Sequence, residues 1–446
     1  MTNNNNNIAI VGSGITGLTT AFFLKKRGKK VTVFEKNSQP GGSIRTVRNG
    51  DWLTEYGPNT ILLKDRIVDE FFNELGLNDH LIEANPSASK RYIVKNGQIV
   101  PLPSTLLDAV KTPLFSLGGK LRVLKEPFIT RSNQPDQTVA EFVSRRLGQE
   151  ALDYAINPFV AGIFANNPES LSLRHAFPLM HNLESEYGSL IVGSFAGAKK
   201  RKESGRIERK LVSFKGGLQE LPIKLAEKLN ILYSMRIDTV EKRVGNWFLK
   251  SNDAEYGPFD QVILNIPLYQ MKDLNSPFQN ELEEISKKVY YPPLSVVHLS
   301  YNKEDVGHEL DGFGFLVPEV EQRNILGALF SSSLFQGRAP IGKHLLTIFI
   351  GGGRQPELAS METEKLMKIV ESELSDLIGL NGKTVYQDHV YWPKSIPAYH
   401  IGYDEILEKM KQIEKIGDGL SIAGNFRNGI SVPDCIKNGI KLAEKI

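Results

Sequence analysis

The first pattern along the chain is a short apolar, β-branched run, Ile8-Ala9-Ile10-Val11, which passes directly into Gly12-Ser13-Gly14-Ile15-Thr16-Gly17. The period then changes. Across residues 18–27, Leu18, Ala21, Phe22 and Leu24 fall on one helical face, and Gly28 stands where a helix is normally closed. A second β-branched run, Val31-Thr32-Val33-Phe34, ends in Glu35. The predicted order is strand, glycine turn, helix, strand, acid.

Each residue type in that order has a physical role. Gly12 permits the tight turn, Gly14 lets the backbone approach a pyrophosphate, and Gly17 lets the helix lie close on the strand. The N-terminal turn of the helix offers unpaired N–H groups and a positive dipole end to phosphate. Glu35 stands where a carboxylate accepts from ribose hydroxyls. The unit thus predicts a dinucleotide site built on Gly12, Ser13, Gly14, Ile15, Thr16, Gly17, Glu35 and Lys36. By itself it does not choose between FAD and NAD.

Further along, the hydrophobic pattern predicts a discontinuous nucleotide fold. The run Phe214-Lys215-Gly216-Gly217 opens a second piece, and residues 231–250 read as a strand pair turning at Gly245-Asn246. Residues 420–424 (LSIAG) read as another strand, followed by Asn425, a glycine turn at Gly429 and a helix to residue 446. Residues 96–211 are mostly helical in pattern. Residues 276–394 carry strand-like runs at 295–301, 325–330 and 344–350. The expected fold class is a mixed α/β and α+β chain. An FAD- or NAD-type Rossmann-like domain would comprise 1–75, 212–275 and 395–446. A mixed-sheet substrate domain would comprise 76–95 and 276–394, and a helical domain 96–211.

Bulk properties narrow the function classes only slightly. The 446 residues carry a formal net charge of +3, too mild to argue for nucleic acid. A single cysteine, Cys435, excludes an internal disulfide and suits a reducing, cytoplasmic compartment. The eight histidines show no metal-ligand spacing, so no metal is expected. No run of about 18 apolar residues is present, so no helical span is expected. The mixed apolar and basic stretch 106–131 reads either as a headgroup-seated amphipathic segment or as a helix facing a core. The basic run 199–210 reads most simply as a solvated loop.

A second set of motifs extends the nucleotide signal. Gly41-Gly42-Ser43-Ile44-Arg45 and Glu55-Tyr56-Gly57-Pro58-Asn59 follow the ribose acid. Together they resemble the extended FAD signature of the amine-oxidase-like flavoproteins. The C-terminal Gly424-Asn425 and Ile430-Ser431-Val432-Pro433-Asp434-Cys435-Ile436 resemble the end of those chains. Residues 91–103 (RYIVKNGQIVPLP), 118–128 (GGKLRVLKEPF), 157–164 (NPFVAGIF) and Trp392-Pro393 with Ile396-Pro397-Ala398-Tyr399 are similar to segments of the protoporphyrinogen and coproporphyrinogen oxidases. Ala165-Asn166-Asn167 and Asn428 depart from that family's usual residues.

The resemblance implies noncovalent FAD contacted by Gly12 through Gly17, Glu35, Lys36, Gly42, Ser43, Arg45, Gly57, Pro58, Asn59, Thr60, Ile237, Trp392, Gly424, Asn425, Ile430, Ser431 and Val432. It implies six-electron oxidation of a porphyrinogen by oxygen in haem biosynthesis, with Arg91 gripping a substrate carboxylate and Asn59 beside the flavin ring. Protoporphyrinogen IX is the expected substrate and coproporphyrinogen III the alternative. An amine oxidase, a carotenoid desaturase or a porphyrin carrier without turnover are more distant readings. Peripheral contact with the inner face of the cell membrane, hand-off to a ferrochelatase and a homodimer are further expectations of the same kind.

Overall fold

The computed structural model describes residues 6–202, 206–252 and 254–446, with the backbone alone for 106, 198–202, 206 and 207. The basic run at 199–210 therefore lies largely outside the described side chains. A five-stranded parallel sheet sits at the centre of the nucleotide region. Its spatial order is Ile231–Leu232, Lys30–Phe34, Asn7–Val11, Gln261–Leu264 and Leu420–Ile422. Ile8, Ala9 and Ile10 are wholly buried, because the first strand is central and covered on both faces. That is why the run is continuously apolar rather than alternating. Each of the two isoleucines contributes roughly 1.5–3 kcal/mol by leaving water.

The two ends of the sequence meet on this sheet. Helix Ile15–Lys26 packs along helix Val432–Lys445. Gly439 makes the contact close, since a Cβ there would stand 2.7 Å from Thr16 O. Thr20 Oγ1 donates to Gly439 O at 3.2 Å.

A seven-stranded mixed sheet forms the second layer system. Its order is Tyr386–Trp392, Leu294–Asn302, Lys343–Gly351, Gly327–Leu329, Gly312–Leu316, Lys90–Lys95 and Gln98–Pro101. The pair between 90–95 and 312–316 is parallel, while the other pairs are antiparallel. One face packs Tyr92, Val94, Val297, Leu299 and Ile348 against helix Thr363–Ile378. By strand alternation the other face carries Arg91, His298, Leu329, Thr347, Phe349, Asp388, Val390 and Trp392. That face looks toward the nucleotide sheet. The strand Gln98–Pro101 hydrogen-bonds to 90–95, so this sheet runs past residue 95, into the stretch where the sequence pattern suggested helices.

The strand pair expected at 231–250 is present as Thr239–Arg243 and Asn246–Ser251. A third strand, Ala254–Phe259, extends it. Residues 106–202 are helical in short pieces, including a π-helical turn at Leu152–Ile156. No described helix is long and apolar enough to cross a membrane.

Candidate functional site: a glycine cradle under a mixed sheet

The carboxyl ends of four parallel strands are stitched side by side. Gly12 N donates to Phe34 O at 2.8 Å, Asn265 N to Val11 O at 2.8 Å, and Ala423 N to Leu264 O at 2.9 Å. Open parallel sheets bind ligands beyond this edge. Gly12 adopts φ +101°, and a Cβ there would lie 2.4 Å from Asn265 O, so only glycine suits the turn. Asn265 Nδ2 donates to Gly12 O at 3.1 Å and Gly14 O at 3.3 Å, bracing the turn from the third strand of the motif. Sequence reading missed Asn265, which lies 253 residues from Gly12 and carries no local signal.

Helix Ile15–Lys26 starts without a side-chain cap and without an acid in its first turn. Its first N–H groups therefore have no neighbouring carboxylate to satisfy them. The second glycine pair closes over this point: Gly41 N donates to Ser13 O at 2.9 Å, and a Cβ on Gly42 would meet only Gly14 Cα, at 3.6 Å. An uncapped helix start beneath two facing glycines has the shape and polarity for a diphosphate.

Glu35 is buried, and its carboxylate is fully engaged. Oε2 accepts from Ser13 N at 2.9 Å and Ser13 Oγ at 2.5 Å, while Oε1 accepts from Asn37 N at 2.9 Å and Asn37 Nδ2 at 2.8 Å. Four acceptor positions are then filled, so a ribose would displace a side-chain donor. Lys36 reaches across to Gln270 at 3.1 Å. Ile237 is buried among core residues that include Phe34.

The segment 55–60 enters from the opposite side. Gly57 lies so close to Ser43 that a Cβ would fall 1.9 Å from Ser43 O. Arg45 O accepts from Tyr56 N at 2.9 Å, and the Arg45 guanidinium sits 5.8 Å from the Tyr56 ring centre. Asn59 Nδ2 folds back on Gly57 O at 3.1 Å, with Pro58 between them and Thr60 following. The mixed sheet clamps this segment: Trp392 Nε1 donates to Tyr56 O at 2.8 Å. His298, fully buried and stacked on Tyr56 at 5.9 Å, has Nε2 3.2 Å from Glu55 O. Burial pushes the His298 imidazole well below its ordinary pKa, so it packs as a neutral ring.

The C-terminal motif joins the same region. Asn425 O accepts from Tyr399 Oη at 2.7 Å, and Gly424 avoids a clash with the Phe426 ring. Ile430 packs on two core clusters. Ser431 caps the final helix through Asp434 N at 3.2 Å, and Val432 is buried. Cys435 is enclosed beneath them, and burial pushes its thiol up to about 12. Arg91 stands apart from this set, exposed on the sheet with its guanidinium 5.6 Å from the Phe313 ring centre.

A small cavity of about 10 Å³, room for roughly one water, lies between the 55–60 segment and the sheet. Glu55, Asn59, Thr60 and Arg338 line it together with Leu329 and Thr347. Glu55 and Arg338 are buried there; the sequence showed Glu55 only as the first residue of its motif, without a role, and Arg338 not at all, since a buried arginine looks like any surface one. Among the described residues, no group of three or more acids, histidines or cysteines is placed to hold a metal.

Comparison with known proteins agrees with this architecture. The family described as flavin containing amine oxidoreductase matches residues 15–446. Protoporphyrinogen oxidase 2 of Arabidopsis thaliana is 37% identical, covering 98% of this chain and 93% of its own. Coproporphyrinogen III oxidase of Staphylococcus aureus is 28% identical, covering 98% of both. A crystal structure from Exiguobacterium, whose given name suggests a protoporphyrinogen oxidase, superposes with a TM-score of 0.82 at 22% identity, covering 99% of this chain and 98% of that one. The chain belongs to the flavin-containing amine oxidoreductase family.

Proposed function

We propose that this protein is an FAD-dependent oxidase that converts protoporphyrinogen IX to protoporphyrin IX, with oxygen as acceptor and hydrogen peroxide as by-product. The observation that carries the reading is the joining of three distant segments, 12–17, 41–60 and 424–432, at one sheet edge beneath a second, mixed sheet. Full-length similarity to the Arabidopsis protoporphyrinogen oxidase supports this substrate over coproporphyrinogen III.

The residues present suit FAD. Gly12, Ser13, Gly14, Ile15, Thr16 and Gly17 would hold the diphosphate with Gly42, Ser43 and Arg45, and Glu35 with Lys36 would hold the ribose. Ile237 would border the adenine. Gly57, Pro58, Asn59, Thr60, Trp392, Gly424, Asn425, Ile430, Ser431 and Val432 would surround the ring. Bound there, FAD supplies a two-electron acceptor and its reoxidation by oxygen. Attachment is noncovalent, because Cys435 is buried and its thiol protonated at neutral pH.

The chain's own contribution is positioning and exclusion of water. Arg91 projects from the sheet face that covers the 55–60 segment, where a guanidinium can grip a propionate through paired hydrogen bonds. Asn59 orients the macrocycle at the ring. Phe349, Val390 and Trp392 of the same face, packed against Ala161, give the macrocycle an apolar wall. In domain terms, 1–75, 212–275 and 395–446 serve the cofactor, and 76–95 with 276–394 serve the substrate.

The segment 106–128 supports peripheral membrane contact. Leu107, Val110, Leu117, Leu121, Leu124 and Phe128 are all exposed there. Lys120 and Arg122 are tied inward to backbone carbonyls, whereas Lys111 and Lys125 are exposed. Such an apolar surface with cations beside it suits an anionic lipid face. Release of the product to a ferrochelatase from that face fits the same picture, and a homodimer would leave it available.

Parallel turnover of protoporphyrinogen IX and coproporphyrinogen III by the purified yellow protein, followed by porphyrin fluorescence, tests the reading. A colourless protein that takes up no FAD, or a yellow one that oxidises neither substrate, overturns it.

A further inference from the structure

A row of side chains connects the ribose acid's neighbour to the strand that clamps the 55–60 segment. Lys36 Nζ donates to Gln270 Oε1 at 3.1 Å, and Gln270 Nε2 donates to Tyr269 Oη at 3.4 Å. The Lys394 ammonium lies over the Tyr269 ring, 4.7 Å from its centre. Lys394 follows two residues after Trp392, which holds the Tyr56 carbonyl at 2.8 Å.

The row is fixed at its middle and beside its far end. Tyr269 and Gln270 lie in the turn that follows Asn265, whose amide braces Gly12 O at 3.1 Å and Gly14 O at 3.3 Å. The Tyr269 ring stands edge-on to buried Tyr291, with ring centres 5.0 Å apart. Beside Lys394, Ser395 N and Oγ both reach Pro292 O, at 3.0 Å and 2.6 Å. The backbone of Lys394 and the ring under its ammonium are thus both tied to the cradle.

The charges in this row are unbalanced. Lys36 and Lys394 are exposed, and no carboxylate among the described residues pairs with either ammonium. A ring contact at an exposed site is weak, and holding a long side chain against it costs rotamer freedom. A second attraction is needed to make Lys394 useful there. The turn shaped by Asn265 leads into the uncapped start of helix Ile15–Lys26, which offers N–H groups to an anion but no full positive charge. A lysine supplies that charge as a point cation.

We propose that Lys394, seated on Tyr269, is a further cofactor-holding residue whose ammonium pairs with the diphosphate of FAD. The inference rests on the reading of the glycine cradle as the FAD site. Its consequence is a clasp: the end of the mixed sheet at Trp392 and the turn after Asn265 share one anion, so cofactor and both sheets are held together. Lys36 and Gln270 keep the Tyr269 ring in place as the seat of the clasp.

The test follows release of FAD, read as free-flavin fluorescence on dilution, from loaded wild type, Lys394→Met, Lys394→Arg and Tyr269→Leu. At about 0.1 M salt, Lys394→Met should release FAD about five- to ten-fold faster than wild type, and at about 1 M salt no more than about two-fold faster, because screening shortens from about 10 Å to about 3 Å. Lys394→Arg keeps the charge and should stay within about two-fold of wild type, while Tyr269→Leu loses only the seat and should be about two- to three-fold faster. The flavin absorption spectrum should be the same in all four proteins. Equal release from Lys394→Met and wild type, or a difference as large at high salt as at low, overturns the diphosphate contact. A shifted flavin spectrum in Lys394→Met also overturns it, since the ammonium would then lie against the ring. If Tyr269→Leu does not fold, the two Lys394 variants decide the matter. A wild type that takes up no FAD fails the reading of the cradle itself, which is a different outcome from loss of the clasp.

Discussion

Tyr56 donates its phenolic hydroxyl to Asp388 Oδ1 at 3.1 Å, across 332 residues of sequence. This bond ties the segment proposed to lie at the flavin to the outermost strand of the mixed sheet. The same carboxylate accepts from Thr54 Oγ1 at 3.3 Å, and Trp392, four residues further along the strand, holds the Tyr56 carbonyl. Tyr56→Phe leaves Asp388 its bonds from His389 N and Thr54 Oγ1 but removes the phenolic link. A hydrogen bond to a charged group contributes roughly 1.5–3 kcal/mol. The variant should therefore release FAD at least several-fold more readily, read as the rise of free-flavin fluorescence on dilution. Unchanged retention would show that the cross-link does not set the position of the 55–60 segment.

Glu55 gives the protein a pH signature. Its folded pKa is raised to about 7 by burial, while an unfolded carboxyl sits near 4.5. The raised value means that the protonated form is favoured in the fold. Its contribution is full below about pH 4.5 and is lost as pH rises through about 7, to an upper bound of roughly 3 kcal/mol. Glu55→Gln cannot titrate. The difference in melting temperature, variant minus wild type, should grow from pH 5 to pH 8. A flat difference across that range would mean that Glu55 is ionised throughout.

Gly17 is a steric rather than a conformational requirement. A methyl group there would stand 2.3 Å from Asn265 Nδ2 and 2.8 Å from Gly12 O. Gly17→Ala must push the helix off the strand or expel the Asn265 amide, at a cost of roughly 1–3 kcal/mol. The expected outcome is protein purified with a fraction of the wild-type flavin absorbance. The double variant Gly17→Ala with Asn265→Ala should recover part of it, because the clash partner is gone.

Arg91→Ala should raise KM for the porphyrinogen several-fold while bound FAD, measured by absorbance, stays at wild-type level. Steady-state kinetics identical to wild type would remove Arg91 as a carboxylate anchor.

Leu121 and Phe128 are exposed on the 106–128 surface. Leu121→Asp with Phe128→Asp should abolish co-sedimentation with vesicles containing anionic lipid and leave turnover in detergent solution unchanged. Retained sedimentation would place lipid contact elsewhere.

What was legible in the sequence followed its local signals. The strand, glycine turn and helix at 7–26 are written in one short stretch, since period, breaker and acid all lie within 30 residues. The final strand and helix were legible for the same reason. What escaped notice depends on long-range pairing. Asn265, Asp388 and Arg338 look like ordinary polar residues until the sheets bring them against 12–17 and 55–60. The strand Gln98–Pro101 escaped because four residues with a terminal proline carry little period, and only its neighbour at 90–95 defines it. The donors that fill Glu35 were likewise hidden, because they depend on how Ser13 and Asn37 fold back around it.

The arrangement in which helix Val432–Lys445 packs on helix Ile15–Lys26 has a consequence for synthesis. The glycine turn leaves the ribosome long before Asn265, which braces it, and before residues 420–445, which cover its helix. Throughout most of translation the nascent nucleotide motif is an unfinished edge with apolar sides. Such a chain folds late and slowly, and it is exposed to aggregation while it waits. Expression at reduced temperature, or with a holdase that shields the early strands, is the practical remedy this topology dictates.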